Sequence, residues 1–385
     1  MGTGNWSNSS YWINSPATGG YPQNGNAGVG IYDAIVSSGA PTLTESITIG
    51  SLTFSSGTIG GSAPLNVQGN LTWSGGGMTG AGTTTAAGNA STISGTEEKV
   101  LSRILENTGT MTYSAGSGVI SLVGGTLNNS GTFNTTAGGD FGSIGASATA
   151  INNSGTWNVS GAGTTSSIGF GLPFHNTGTV NVHSGTIAFN GNYTQTAGAL
   201  ALVGGSISGS NPLLIQGGQV TGTGTISGSL NNSGGTIRPG LSAGVLSITS
   251  DLTLSNDSTL AMEVGGRTQG TEYDLIIEAG TLALNLDGLL TVNFINGFQD
   301  GILITDVFTI VNSNQAVIGA FDNVANGQRL ATTDGLGSFL VNYGVGSAFG
   351  ENKVVLSQFA AVPEASTIML LPLAAGALLL KRRRR

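Results

Sequence analysis

Apolar and polar residues alternate at period two along much of the chain. Ile47 and Ile49, Leu52 and Phe54, Leu65 and Val67, Leu71 and Trp73, and Ile187 and Phe189 are separated by single polar or small residues. Period two sends alternate side chains to opposite faces of an extended backbone, so the pattern predicts short strands with one buried face. Longer strands follow towards the C-terminus. Leu246 and Ile248, Leu252 and Leu254, and Leu260, Met262 and Val264 begin that series; residues 273–277, 282–286, 289–294 and 307–311 continue it. Before residue 360 one stretch breaks the pattern. Residues 94–107 carry Val100, Leu101, Ile104 and Leu105, which predicts either a short helix or a strand with a charged edge.

A short phrase recurs within the alternation. It reads Asn107-Thr108-Gly109-Thr110, Asn129-Ser130-Gly131-Thr132, Asn153-Ser154-Gly155-Thr156 and Asn176-Thr177-Gly178-Thr179, with a looser copy at Asn232-Ser233-Gly234-Gly235-Thr236. The first four are spaced by roughly 22–24 residues, a solenoid period. An apolar residue follows each: Met111, Phe133, Trp157, Val180 and Ile237. Asn and Gly tolerate left-handed backbone, so the phrase predicts a tight turn. The Thr then starts a strand and the next side chain points inward. A strand–turn–strand unit at this period is the step of a parallel β-helix.

Composition agrees. Of 385 residues 66 are Gly and none is Cys, while charged residues make up 8%. That excludes a charge-rich disordered chain and a disulfide scaffold. Gly, Ser, Thr and Asn in place of Ala, Leu, Glu and Lys exclude a helical bundle. Collagen needs Gly at every third residue, and no such register exists.

Charge is unevenly placed. Residues 1–250 hold six acidic residues, Asp33, Glu45, Glu97, Glu98, Glu106 and Asp140, whereas residues 251–360 hold twelve. Lys381, Arg382, Arg383, Arg384 and Arg385 supply five of the 11 basic residues; without them the net charge of −8 becomes −13. An acidic body argues against nucleic acid as a partner, because phosphate binding needs a basic face.

The last residues are distinctive. Residues 366–380 carry no charge and are followed directly by the five cations. As a helix that run is about 22 Å long, short of a hydrocarbon core of about 30 Å. Val362 and the snorkelling arginines extend it, and Pro372 is tolerated within a membrane helix. Positive charge stays cytoplasmic, so the preceding chain is expected across the membrane. Val362-Pro363-Glu364-Ala365-Ser366-Thr367, the apolar run and the terminal Arg cluster together resemble the PEP-CTERM sorting signal. Ala365 stands where that family carries a second Pro. The resemblance implies processing near Val362, Pro363, Glu364 and Ala365 by an exosortase-type membrane protease. It implies retention in the inner membrane by Lys381 to Arg385 beforehand, and then a cell-surface or extracellular location, often beside exopolysaccharide.

Gly235-Thr236-Ile237-Arg238-Pro239-Gly240-Leu241-Ser242-Ala243-Gly244-Val245-Leu246, with Glu272-Tyr273-Asp274-Leu275 and residues 301–310, resembles the end of autotransporter-like β-helix passengers. This implies an extracellular β-helix and no particular activity. Residues 1–6 carry neither a basic n-region nor an apolar h-region, so an export signal is expected upstream of Met1.

The fold expected is therefore all-β: a parallel β-helix (solenoid) with a C-terminal β-sandwich or β-roll cap and one C-terminal hydrophobic helix. Residues 1–45 are an aromatic-rich N-terminal cap carrying Trp6, Tyr11, Trp12, Tyr21 and Tyr32, and 46–250 are the repeats. Residues 251–357 are an acidic, antiparallel module closing the far end, and 362–385 are the sorting segment with its transmembrane helix.

Candidate chemistry is sparse. His175 and His183 lie eight residues apart without Cys or a nearby carboxylate, which reads as two surface histidines rather than a metal site. Gly138-Gly139-Asp140 is a single copy of a calcium-roll phrase that needs repetition. Glu272, Asp274 and Glu278, preceded by Asp257 and Glu263, would share one strand face; three carboxylates could hold Ca²⁺, and an acidic solvated face is the plainer reading. Asp140 has no partner at a coil offset, so the grouped carboxylates of a polysaccharide lyase or hydrolase are missing. No catalytic, cofactor or metal residue is assigned. The expectation is an exported, non-catalytic surface or matrix protein, with a polysaccharide-binding or polysaccharide-degrading β-helix and an adhesin as alternatives.

Overall fold

Most coils of the chain make three short strands, two of them merged into one in Ala199–Gly209 and in Gln219–Ser227, and each strand lies parallel to its equivalent one coil later. The computed structural model describes residues 3–15, 19–114, 118–136, 138–144 and 149–362. The result is an all-β parallel solenoid of three faces. The first face starts with Ala34–Val36, Leu52–Phe54 and Leu71–Trp73 and runs to Leu289–Phe294. The second starts with Thr3–Asn5, Ala40–Leu43 and Thr58–Gly61 and runs to Phe308–Ser313. The third is an eleven-stranded sheet from Ile47–Ile49 to Leu252–Leu254, one strand per coil. Successive strands are about 4.8 Å apart, so the third face alone extends roughly 50 Å.

Alternation decides the interior. Met111, Phe133, Trp157, Val180 and Ile237, the residues after each repeated Thr, are all fully buried. They stack directly: Phe133 pairs in register with Met111 and Trp157, and the Phe133 and Trp157 rings lie 4.2 Å apart at 13°. The preceding Thr does start a strand in each case, as in Thr110–Tyr113, Thr132–Thr135, Thr156–Val159 and Thr179–Val182.

The repeated Asn-x-Gly works differently from expectation. Gly109, Gly131, Gly155 and Gly178 are absent from the positive-φ residues, so no left-handed turn is needed there. What excludes a side chain is proximity: a Cβ on Gly131 would collide with the carbonyl oxygen of Gly109, one on Gly155 with that of Gly131, and one on Gly178 with that of Gly155. Each of those carbonyls accepts the amide of the Thr that opens the next coil, Thr132, Thr156 and Thr179, at 2.8 Å.

The Asn residues end the third-face strands with side chains pointing inward. Asn107, Asn129, Asn153 and Asn176 are at most 1% exposed and form a ladder. Asn107 Nδ2 donates to Asn129 Oδ1 (2.7 Å), Asn129 Nδ2 to Asn153 Oδ1 (2.7 Å), and Asn153 Nδ2 to Asn176 Oδ1 (2.8 Å). Asn176 Nδ2 donates to Gln195 Oε1 at 3.1 Å, and Gln195 ends the ladder on the carbonyls of Gly217 and Gln219.

Residues 94–107 form strands, not a helix: Lys99–Leu101 and Ile104–Asn107 belong to the second and third faces. The two cations there are buried rather than edge-exposed. Lys99 Nζ donates to the carbonyls of Gly95 and Glu97, and Arg103 reaches those of Gly82 and Ala63 in the preceding coils. The apolar residues at 100, 101, 104 and 105 straddle a corner, which imitates helical spacing.

Residue 250 does not interrupt the stacking. Val245–Ile248 pairs in parallel with Leu275–Glu278, and Thr259–Val264 with Leu289–Phe294. Among the described residues antiparallel ladders begin only with Phe308–Ser313, which pairs with Lys353–Ala361; Gly337–Tyr343 pairs with Lys353–Ala361 and with Gln328–Ala331. The antiparallel module expected from residue 251 is therefore corrected. Alternation is the same in both pairings, and charge does not report strand direction. The top strand of the first face meets loop residues instead of a further strand: Asn323 Oδ1 accepts Leu290 N, Asp334 Oδ2 accepts Phe294 N, and Thr333 N donates to Val292 O.

At the other end, Ala34–Val36 and Ala40–Leu43 already stack in the first coil. Trp6 is buried and donates Nε1 to Pro22 O, and Trp12 donates Nε1 to Trp6 O. Asn24 N and Gln23 Oε1 engage Thr48 on the lowest third-face strand.

Asn153→Ala tests the ladder. It removes both a donor and an acceptor from a buried chain and is expected to cost about 2–3 kcal/mol. Asn158→Ala, on the outer surface, should cost under about 0.5 kcal/mol. Urea unfolding midpoints compare them; equal losses would show that the buried ladder carries no special weight.

Candidate functional site

Most sequence-predicted candidates are pulled apart by the fold. His175 is exposed on a third-face strand and His183 is exposed just beyond the first-face strand Thr179–Val182. Asp140 is exposed and accepts the amide of Ser167. Glu272, Asp274 and Glu278 do not form one acidic face. Glu272 Oε2 accepts the amides of Arg267 and Thr268 in an exposed turn. Asp274 is fully buried; Oδ1 accepts Gly244 N and Oδ2 accepts Glu263 N. Glu278 is buried between Gly280 N and Ser313 Oγ. Each carboxylate is committed to separate partners, and two of the three are buried, which corrects the solvated-face reading. Among the described residues no three His, Cys, Asp or Glu residues gather into a group able to hold a metal ion. Val362 is described and exposed; Pro363, Glu364, Ala365, the apolar run and Lys381 to Arg385 lie outside the described residues. Among the described residues no helix is long and apolar enough to cross a membrane.

Among the described residues two concavities stand out. One, of about 530 Å³, lies at the N-terminal end against Tyr11, Trp12, Ile13, Tyr32, Asp33 and Ile35. The other is a groove of about 490 Å³ on the first face, lined by Gln219, Thr236, Arg238, Glu263, Asn293 and Thr333 among others. Stacking builds its floor. Thr236 pairs with Gln219 below and Thr259 above, and Glu263 pairs with Asn293. By alternation Glu263 points outward with Thr259 and Ala261, yet it is only 4% exposed. Arg238, one coil below, closes over it and forms an ion pair with Oε1. Glu263 Oε2 has no hydrogen-bond partner.

Behind this pair sits Asp274. Burial pushes its carboxyl up to about 8, against the opposing pull of the Gly244 amide and the Arg238 charge. Sequence reasoning named Glu263 and quoted Arg238 but did not join them. The signal was available: the two opposite charges are 25 residues apart, one coil.

No family model matches the chain, and no curated protein or solved structure matches it.

A raised carboxyl means that the folded chain binds the proton more tightly than the unfolded chain. Stability linked to Asp274 is full below the ordinary carboxylate value of about 4 and is lost as pH rises towards about 8. Asp274→Asn cannot titrate. Chemical unfolding at pH 5 and pH 9 should show a smaller difference for the variant than for the natural chain; parallel losses would assign the pH dependence elsewhere.

Proposed function

We propose that this chain is an exported, non-catalytic surface or matrix protein. Its solenoid is a rigid display body, and residues 362–385 are a PEP-CTERM-like sorting signal handled by an exosortase-type protease. The observation that carries the reading is the order of parts. The last strand, Lys353–Ala361, ends immediately before Val362, and Pro363-Glu364-Ala365, an uncharged run and five cations follow without a spacer. A protease acting there would cut beside the folded body and release it whole. The uncharged run then holds the precursor in the inner membrane, with the cations on the cytoplasmic side. The antiparallel strands from Phe308 to Ala361 serve as the cap that keeps the last coil's edges from pairing with other chains.

The exterior fits display. Outward Asn side chains stack between coils, Asn158 on Asn134 and Asn181 on Asn158, and Asn152 on Asn128. Such a face offers mainly amides and hydroxyls to a hydrated polymer such as exopolysaccharide.

Replacing codon 362 by a stop tests delivery in the source cells. The truncated product should shift away from the membrane and surface fractions, and mass spectrometry of the natural product should find a C-terminus near Pro363 to Ala365. An unchanged distribution would overturn the sorting reading.

A further inference from the structure

The groove on the first face differs from the rest of the outer surface. Elsewhere the outward columns on this face are neutral Thr, Asn and Ala, as in Thr112, Asn134, Asn158, Asn181 and Ala201. Here a guanidinium and a carboxylate are set into it. A neutral Thr or Asn would satisfy the strand equally well, so the pair is not required by stacking.

Three observations define what would fit. First, Glu263 is buried with Oε2 unpartnered, and among the described residues it is the one carboxylate with a buried oxygen lacking a hydrogen bond. Leaving an acceptor like this unsatisfied is costly, and a donor supplied from outside the chain would relieve that cost. Second, the Arg238 side chain is 43% exposed and its single hydrogen bond goes to Glu263 Oε1. Its other N–H donors face the groove, and a small movement of this flexible side chain uncovers Oε2. Third, the walls, Gln219, Thr236, Thr291, Asn293 and Thr333, both donate and accept hydrogen bonds, while Ala261 and Gly218 leave depth between them.

A carboxylate that needs a donor beside a guanidinium that needs acceptors matches a pair of neighbouring hydroxyl groups, each of which does both. A cation is disfavoured by Arg238. An anion is disfavoured by Glu263 and by a body of net charge −13 without the terminal cations. Rungs at about 4.8 Å lie close to the advance of an extended sugar chain per residue. We propose that this groove binds a neutral glycan, with Arg238 and Glu263 gripping a vicinal diol. The inference deepens the matrix reading by naming its ligand class and site, yet binding is a property of the folded chain and does not depend on how it is sorted.

The test uses the full chain in mild detergent, titrated calorimetrically with neutral hexasaccharides of glucose, mannose and galactose, with polygalacturonate, and with Ca²⁺ and inorganic phosphate. At least one neutral hexasaccharide should bind saturably. Arg238→Ala and Glu263→Gln should each weaken it tenfold or more. Ala261→Phe, which fills the groove without touching a charge, should abolish it and keeps the test open if Glu263→Gln fails to fold. Thr112→Ala, lower on the same face, should leave binding within twofold. Absence of binding by every neutral hexasaccharide would overturn the proposal. So would binding unaffected by Ala261→Phe, or a groove that takes Ca²⁺, phosphate or polygalacturonate in preference. A chain that binds glycan but is not relocated by the stop at 362 would defeat the sorting reading alone.

Discussion

At one corner of every middle coil the backbone passes so close to the coil below that only hydrogen fits between them. The column Gly109, Gly131, Gly155 and Gly178 marks that approach. Each glycine lies two residues after a buried Asn, so the corner couples a steric demand to a polar one. A single Asn in an apolar core would leave donors and an acceptor unmet, at a cost of a few kcal/mol. A run of them meets the demand coil by coil, because each side-chain amide gives to the next and takes from the one before. Register is thereby specified: a slip of one residue would break every rung and turn the apolar stack outward. The run has ends, and both are handled in the chain. Above, Gln195 is one methylene longer and reaches backbone carbonyls; below, Ala86 returns the column to an apolar residue and leaves Asn107 Oδ1 without a partner.

The same accounting explains where the charge went. In the lower coils corners are short and neighbouring backbones satisfy them, so carboxylates are rare and the two cations are turned inward on carbonyls. Beyond residue 250 the excursions between strands lengthen, and many amides donate to side chains instead of to the carbonyls of a neighbouring coil. Carboxylates supply the acceptors: Asp251 takes the amides of Thr281 and Leu282, Glu272 those of Arg267 and Thr268, Asp306 that of Leu303, and Asp334 those of Leu336 and Phe294. Much of the acidity of that half is loop chemistry, laid over parallel stacking that continues past residue 250 as far as the antiparallel strands.

This sorts what could be read from the chain before its fold was seen. Period two, the inward residue after each Thr and the parallel coil were legible, because they follow from side-chain alternation and a repeat interval. The reason for the glycines was not, because close approach between coils is a tertiary fact with no mark in the local sequence. The acidic shift at residue 250 was legible as a number and misleading as a boundary. Asp274 and Glu278 were legible as an acidic cluster, but strand alternation could not foresee that both are buried on amide and hydroxyl donors of other segments. Arg238 and Glu263 form one motif only at coil spacing, which strand-spaced alternation does not reveal.

A solenoid makes its surface as regular as its core, and this has a consequence for recognition. Each outward column repeats one residue type at a fixed interval, so a uniform column presents many equivalent, weak contacts and selects nothing along its length. Selectivity needs a break in the column. On the first face that break is Arg238 above Thr221 and below Ala261, where one coil substitutes a long charged side chain for a small neutral one. Glu263, one coil up, pairs with this guanidinium, and Arg238 in turn covers Glu263. Glu263 Oε2, buried without a hydrogen bond, carries a desolvation cost in the folded chain alone. That cost falls once an outside donor reaches the oxygen, so the place where the repeat is least comfortable is the place where the rod is best equipped to hold something else.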